Sequence, residues 1–466
     1  MTKTCDILII GSGPAGYAAA LEASVLGRDV VLVEKDLVGG TCLNRGCIPT
    51  KLFLGASRAV SEIKAQSRMR LGQGSFVLDL AALQKRKASL LGATRQSMAK
   101  KLEAAGVRLI HGLGELAGPD QVVVRASGGN GQAGQGARLI FDRLILALGS
   151  RPVWPKALEP DGEHILLSDQ ILEIDEVPAS LAVIGAGAIG LEMAQFFQRV
   201  GAQVTLLEAA ERIAPTEDPE ISSQLAAMLK RQGIDVRSGV AVSGLQQSKG
   251  EVIVHLAEGQ TLNVGKVLVA VGRGPNAALP GLDLAGASLS EASLSEKGAL
   301  TVDASLRLTD RIYAVGDCNG QVLLAHAAEH QGRFAARHAA GAVSGPYRPG
   351  SIPFCIYGDP EAMRVGLTAG KAAAQGLEHS VSRAMLAANP VAQAAAAPHG
   401  LVKVVWSGER VVGVSAVGHG VLHFVSAAVI MVDQGWSRER VEDMVFAHPT
   451  LDETLRQALL APQEPR

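Results

Sequence analysis

The sequence lacks most of the features that would mark a special environment. It has no excess of charge, with 44 Lys and Arg against 45 Asp and Glu and a net charge of −1. A chain so balanced has no bulk attraction to nucleic acid or to an anionic membrane, and neither is an expected partner. It has no apolar run long enough to cross a bilayer: the stretch from Phe424 to Val432 falls far short of the ~20 residues needed. It leaves no room for a leader, because Met1-Thr2-Lys3-Thr4 passes almost directly into a strand-like run, so a cytoplasmic location is expected. Only 5 of the 466 residues are cysteine, which excludes a disulfide scaffold. A close cysteine pair in such a chain points to catalysis.

What is present suits a globular protein. The hydrophobic fraction of 47% and charged fraction of 19% allow a sizeable core and argue against disorder. At roughly 150 residues per domain, the length suggests about three domains. The basic cluster Lys85-Arg86-Lys87 sits among Leu83, Leu90 and Leu91 and reads as a solvated helix face.

One figure occurs twice. Asp6–Ile10 reads as a buried strand, running into Gly11-Ser12-Gly13-Pro14-Ala15-Gly16 and an Ala-rich helix. A second strand, Val30–Val33, ends at Glu34, eighteen positions after Gly16. In such a unit Gly11 permits the tight turn, Gly13 lets backbone approach a pyrophosphate, and Gly16 lets helix and strand pack closely. The helix N-terminus faces the anionic phosphates, and the acid can accept hydrogen bonds from a ribose diol. The repeat runs from Leu181–Ile184 through Gly185-Ala186-Gly187-Ala188-Ile189-Gly190 to Val204–Leu207 and Glu208, again eighteen positions on. One such motif is weak evidence. Two, each between strand and helix with the acid at the same spacing, make chance Gly-rich turns a poor account. Glu208 suits the free hydroxyls of NAD and would repel the extra phosphate of NADP, although Arg212 lies four residues beyond.

Two strand ends, Leu144–Gly149 and Val267–Gly272, read as the exits from the two units, with Gly149 and Gly272 as further cofactor-side candidates. Gly114 is another. Ile312–Gly316 is a third such strand, ending at Asp317, which could accept hydrogen bonds from a cofactor chain or could simply form a turn. The expected fold is α/β, with two Rossmann-like dinucleotide-binding domains and a C-terminal α+β domain. The expected boundaries are 1–150, 151–276, a central 277–349 returning to the first nucleotide, and 350–466. Ser127–Gly131 reads as a hairpin tip. Val402–Trp406 and Val411–Ser415 read as neighbouring strands around the turn Gly408-Glu409-Arg410. Gln393–Pro398 is Ala-rich without evident chemistry.

The most informative stretch is Gly39–Lys51, with Cys42 and Cys47 five apart. Zinc sites use shorter spacings and four ligands, while Cys5, Cys318 and Cys355 stand singly, so no metal is expected. A disulfide needs a bend here, for which Gly46 and Pro49 supply irregularity, and a helix start favours the thiolate. Two merely buried cysteines are the alternative.

Gly40-Thr41-Cys42-Leu43-Asn44-Arg45-Gly46-Cys47-Ile48-Pro49-Thr50-Lys51 resembles the redox motif of the pyridine nucleotide–disulfide oxidoreductases, in their dihydrolipoamide dehydrogenase branch. The resemblance spans nearly the whole chain, including Gly316-Asp317, Leu324–Glu329, Tyr357–Glu361 and Ala447-His448-Pro449-Thr450. It implies FAD at the first cradle, NAD at the second and oxidation of dihydrolipoamide. It implies that Cys47 is the thiolate beside the flavin and that Cys42 exchanges with substrate. Lys51 and Glu192 would pair near the flavin ring, and Asp317 and Ala325 would hold the FAD. His448 would be the acid–base, oriented by Glu453; alone, it could be any surface histidine. The implied partners are a second copy of the chain and a lipoylated protein of a 2-oxo acid dehydrogenase, glycine cleavage or acetoin complex. Two departures stand out: Asn389 is not followed by arginine in Ala388–Gln393, and Gly358-Asp359 replaces a Thr-His type pair. A glutathione-type reductase would need cations for NADPH, which Glu208 opposes. A mercuric reductase would need a second cysteine pair, absent from Leu460–Arg466. A non-enzymatic redox subunit would not require Cys42, Cys47 and His448 together.

Overall fold

The computed structural model describes residues 2–125, 136–248, 250–285, 294–295 and 298–465. The hairpin tip expected at Ser127–Gly131 lies outside them. The chain divides into two compact units, one of Met1–Pro49, Lys85–Val153 and Arg273–Pro349, the other of Thr50–Gln84, Trp154–Gly272 and Gly350–Arg466.

The first unit is built on β1 (Thr2–Ile10), β2 (Val30–Glu34), β3 (Arg108–His111), β4 (Leu113–Gly118), β5 (Gln121–Arg125) and β6 (Ala137–Leu146), in the order β3-β2-β1-β6-β5-β4. A late strand, β17 (Ile312–Ala314), joins β6 in parallel, so the chain returns to this sheet after a long excursion. The period-2 alternation of β1 divides the core. Ile7 and Ile9 pack with Ala15, Ala19, Ala20 and Ala23 of α1 (Pro14–Val25), while Leu8 and Ile10 pack on the other face with Val122, Val124 and Phe141. After β6, β7 (Ser150–Pro152) pairs antiparallel with β16 (Arg273–Pro275), so the two expected exits meet each other. Helix α2 (Gly40–Arg45) carries the first cysteine, and α3 (Cys47–Ala56) begins at the second. After α4 (Arg58–Arg68), α5 (Leu80–Ala104) leads the chain back into this unit.

In the second unit, β8 (Ile165–Leu167), β9 (Ser180–Ile184), β10 (Gln203–Glu208), β11 (Asp235–Ser238) and β15 (Lys266–Val269) form a parallel sheet ordered β11-β10-β9-β15-β8. Leu181 and Val183 face α6 (Ala188–Arg199) and α7 (Pro219–Arg231). Ala182 and Ile184 face the antiparallel β12 (Val242–Ser248), β13 (Glu251–Leu256) and β14 (Thr261–Val264).

Residues beyond 350 add an antiparallel sheet of β18 (Phe354–Ile356), β19 (Glu361–Gly366), β20 (Ser380–Met385), β21 (Gly400–Ser407), β22 (Arg410–Gly418) and β23 (Glu464–Pro465). The two strands expected at 402–406 and 411–415 lie inside β21 and β22. Helix α8 (Ala325–Ala339) belongs to the first unit. The remaining helices are α9 (Ala369–Ala374), α10 (Pro390–Ala394), α11 (Val425–Asp433), α12 (Arg438–Glu442) and α13 (Asp452–Leu460). Asn389 caps α10 and is held by Thr450 and Thr454; nothing in the structure explains the absence of an arginine after it. No described helix is long and apolar enough to cross a membrane.

A charge network ties α7 to this last sheet. Lys403, 5% exposed, reaches Asp218 at 2.9 Å and Glu220 at 2.8 Å, and Arg383 grips Glu220 with both nitrogens at 2.7 and 2.9 Å. Arg383, opposed by burial and aided by Lys403, holds the Glu220 carboxyl down from 4.5 to about 2. A carboxyl whose pKa is depressed by folding contributes stability in full above its unfolded value and loses it as pH falls toward the folded one. Replacing Glu220 with Gln should therefore lower the urea midpoint at neutral pH and flatten the stability profile between pH 4.5 and 2. Parallel profiles for variant and wild type would sink the assignment.

Candidate active site

The first glycine turn is a close meeting of backbones. Gly11 has φ +98°, and a Cβ there would lie 2.3 Å from the Ala147 carbonyl oxygen; one at Gly16 would lie 1.8 Å from the Gly11 oxygen. The second turn repeats this, with Gly185 at φ +101° and 2.5 Å from the Ala270 oxygen, and Gly190 1.9 Å from the Gly185 oxygen. The acids match as well. Glu34 accepts from the N–H groups of Ser12 at 2.7 Å and Asp36 at 2.8 Å. Glu208 accepts from those of Ala186 at 2.7 Å and Ala210 at 2.9 Å. Neither α1 nor α6 has an acid in its first turn, and nothing lies within 4 Å of a Cβ at Gly187. Each turn thus offers a helix N-terminus and an acid at the neighbouring strand end, which fits a dinucleotide.

The cysteine segment is docked on the first turn. The Gly39 N–H donates to the Ser12 carbonyl at 3.1 Å and to its hydroxyl at 3.2 Å. Gly40 has φ +58°, and a Cβ there would come within 2.7 Å of the Gly13 Cα. Between the cysteines, a Cβ at Gly46 would lie 3.6 Å from the Cys42 Cα, so the chain folds back just before Cys47. Asn44 clamps the turn: its amide nitrogen donates to the carbonyls of Val38 and Gly40, and its oxygen accepts from Arg95 at 3.0 Å. Both cysteines are half-buried, whereas burial pushes Cys5 up to about 12 and Cys318 to about 11. The pair at 42 and 47 is therefore the one in an accessible, helix-terminal setting.

Asp317 closes the same unit. Ser150 donates to it at 2.6 Å and accepts from Arg273 at 2.9 Å, while burial raises the carboxyl above its ordinary range. Gly149, at φ +71°, precedes this serine and accepts the Asn276 N–H through its carbonyl, and Ala325 opens α8. Gly114 packs on Ile10, its Cβ position 3.1 Å from the isoleucine Cδ1.

In the second unit, Lys51 pairs with Glu192 at 2.7 Å, and Gly272, three residues past the end of β15, has φ +139°. Arg212 donates to the Pro215 carbonyl, turned to its own loop. The His448 Nδ1 lies 3.0 and 3.2 Å from the Glu453 oxygens, and Glu453 also accepts from the Thr450 N–H. That imidazole and then that N–H hold the Glu453 carboxyl below its usual range. The His448 side chain is 74% exposed.

Residues 5–332 match the family described as pyridine nucleotide-disulphide oxidoreductase, and residues 352–459 match that family's dimerisation domain. The chain belongs to this family. A dihydrolipoyl dehydrogenase of Chlorobaculum tepidum is 34% identical over 97% of this chain and 96% of its own length. One from Bacillus subtilis is 31% identical over 99% and 98%. Among solved structures, LpdA of Mycobacterium tuberculosis superposes with a TM-score of 0.88 at 26% identity, over 97% of this chain and 99% of that one. The HOCl-induced flavoprotein disulfide reductase RclA of Escherichia coli gives 0.84 at 26% identity, over 97% and 99%. The expected fold, two dinucleotide-binding domains with a C-terminal dimerisation domain, agrees with these family members.

Sequence reasoning missed the Asn44–Arg95 clamp, the Arg273–Ser150–Asp317 chain and the contacts of Tyr357, whose ring covers the Lys51 ammonium at 4.1 Å. Only the departure at Gly358-Asp359 signalled anything there. Gly358 sits where a Cβ would meet the Gln195 amide at 2.4 Å, and Asp359 bonds His419 at 3.2 Å.

The Gly40–Gly13 contact leaves no room for a methyl group. Gly40→Ala should lower the melting temperature and raise the reactivity of reduced Cys42 toward a thiol reagent, because α2 is pushed off the glycine turn. Unchanged melting and unchanged thiol reactivity would show that the docking does not constrain the cysteines.

Proposed function

We propose that this chain is a dihydrolipoyl dehydrogenase, working as a homodimer on the lipoyl group of a lipoylated protein and using FAD and NAD. The observation that carries this reading is the Cys42–Cys47 turn packed through Gly40 onto the first glycine cradle, in a chain whose second cradle ends in the carboxylate of Glu208. Its full-length likeness to dihydrolipoyl dehydrogenases supports the same reading.

The Nδ1 of His448 is engaged by Glu453, so its Nε2 takes the proton from a dihydrolipoyl thiol. The thiolate attacks the Cys42 sulfur of a Cys42–Cys47 disulfide. A substrate–Cys42 bond forms, and Cys47 leaves as a thiolate at the start of α3, where the helix N-terminus stabilises it. The second substrate thiol attacks the substrate sulfur joined to Cys42 and its proton passes to the departing Cys42 sulfur, closing the lipoyl disulfide and releasing Cys42 as a thiol. The substrate has then lost two electrons and two protons, and the cysteine pair holds the electrons. Gly11, Gly13, Gly16, Glu34, Gly114, Gly149, Asp317 and Ala325 would hold FAD, and Gly185, Gly187, Gly190, Glu208 and Gly272 would hold NAD; the bound flavin would supply the two-electron route from that dithiol to the nicotinamide. Lys51 and Glu192 would pair near the flavin ring in this reading. The dimerisation domain carries His448, which in this reading serves the partner chain's cysteines. The lipoylated partner belongs to a 2-oxo acid dehydrogenase, glycine cleavage or acetoin complex.

Purified protein should bind one FAD per chain and reduce NAD with dihydrolipoamide. Cys42→Ser should abolish that turnover and show, without reductant, a long-wavelength band arising from the Cys47 thiolate. A yellow Cys42→Ser protein without the band removes Cys47 from its proposed role, and a wild type inactive on dihydrolipoamide removes the substrate.

Nicotinamide choice should rest on Glu208. Glu208→Ala removes the repulsion of a 2′-phosphate, so the ratio of kcat/KM for NAD over NADP should fall by at least about tenfold, the factor that 1.4 kcal/mol of lost discrimination gives. A wild type that already favours NADP, or an unchanged ratio in the variant, contradicts the reading.

A further inference from the structure

The Lys51–Glu192 pair is held by a third residue. Lysine is a flexible side chain carrying a point charge, and one ion pair leaves it several rotamers. Here its ammonium has two fixed neighbours, the Glu192 Oε2 at 2.7 Å and the face of the Tyr357 ring at 4.1 Å. Glu192 is also divided between two donors, Lys51 at Oε2 and the Tyr357 backbone N–H at Oε1, 3.1 Å away. Tyr357 therefore touches both members of the pair, the cation through its ring and the anion through its backbone. Burial pushes the Glu192 carboxyl up, and Lys51 is the main influence drawing it back down, so the two charges depend on one another.

Tyr357 is itself clipped to α6, which presents Glu192, Gln195 and Arg199 along one face. Gln195 accepts the Asp359 N–H at 2.9 Å, and Arg199 donates to the Asp359 carbonyl at 2.8 Å, joined there by Gln232 at 2.6 Å. Gly358 lies flat against the Gln195 amide, where no side chain fits. Phe53 of α3 stacks on Phe196 of α6 with ring centroids 4.9 Å apart, fixing the helix that carries Lys51. The tyrosine ring is thus set by backbone bonds on one side, and the lysine stem by helix packing on the other.

We propose that Tyr357 is a positioning residue for the redox centre: its ring and backbone N–H hold the Lys51–Glu192 pair in one geometry, so that a positive charge keeps a fixed place one helical turn beyond Cys47. This rests on the proposed function, in which that charge stabilises the reduced flavin. A cation–aromatic contact at a partly exposed site is worth a factor of about two to five in equilibrium. Its loss frees the ammonium to leave that place, so the equilibrium should shift toward oxidised flavin by up to that factor.

The test compares Tyr357→Leu, Tyr357→Phe and Lys51→Met in the FAD-loaded protein. The readouts are the midpoint potential of the bound flavin, the long-wavelength absorbance after two-electron reduction, and the melting temperature. Both tyrosine variants keep the backbone N–H, so their difference isolates the ring, and Tyr357→Met replaces the leucine variant if that one does not fold. Tyr357→Leu should lower the potential and weaken the band. Tyr357→Phe should match wild type, and adding Tyr357→Leu to Lys51→Met should change nothing further. The proposal is overturned if Tyr357→Leu keeps the wild-type potential while Lys51→Met lowers it, or if Phe is as impaired as Leu. If Lys51→Met itself leaves the potential unchanged, the placement of the pair by the flavin is wrong and the proposal falls with it.

Discussion

Two stretches of backbone meet at Gly13 and Gly40 with no space for a carbon atom between them, and the proposed chemistry depends on that contact. The turn at Gly11–Gly16 is fixed from within by the Gly16–Gly11 approach and from outside by the Ala147 carbonyl. Because the turn cannot move, the segment resting on it cannot move either. Gly39, Gly40 and Asn44 transfer this rigidity to Cys42, and the fold-back at Gly46 transfers it to Cys47. A redox pair needs constant separation from the group it reduces, and backbone contacts supply it without the rotamer freedom that side chains would add.

The second unit solves a different problem with charge. Its sheet past residue 350 must stay attached to α7, and the buried Lys403 does this with Asp218 and Glu220. Arg364 adds a second tie to Glu217, whose carboxyl burial still pushes above its ordinary range. Such buried ions are costly alone and strongly destabilising to break, so the network favours one docking geometry over near alternatives.

The sequence carried what depends on local spacing. The unbroken apolar run Ile7–Ile10 announced a buried strand, and the glycines at 11, 13 and 16 announced the turn, because apolar runs and φ are local properties. The doubling of that figure, with Glu34 and Glu208 in register, was legible for the same reason. The return of Ile312–Ala314 to the first sheet was readable from its likeness to the other strand ends. What stayed hidden joins residues far apart in the chain. Arg95 reaches Asn44, Lys403 reaches Asp218 and Tyr357 reaches Lys51 without any spacing that records it. The alternation of the two units along the chain, with boundaries inside α3 and α5, left no local mark either. Gly358-Asp359 was visible as a departure, but its meaning required knowing that Gln195 lay opposite.

The two cradles share their three glycines and their acid, but differ at the residue that follows the first glycine. Ser12 adds its hydroxyl to the bond its N–H makes with Glu34, at 2.6 Å, and that hydroxyl also accepts from Gly39; Ala186 at the equivalent place has nothing to add to Glu208. Glu34 is accordingly only 6% exposed and knitted into the cysteine segment, while Glu208 remains partly open. One oxygen atom thus sets what each acid answers to: the first is bonded into the redox loop, the second only to its own strand end and turn. A duplicated fold can in this way tie one copy to its surroundings and leave the other bonded to itself alone.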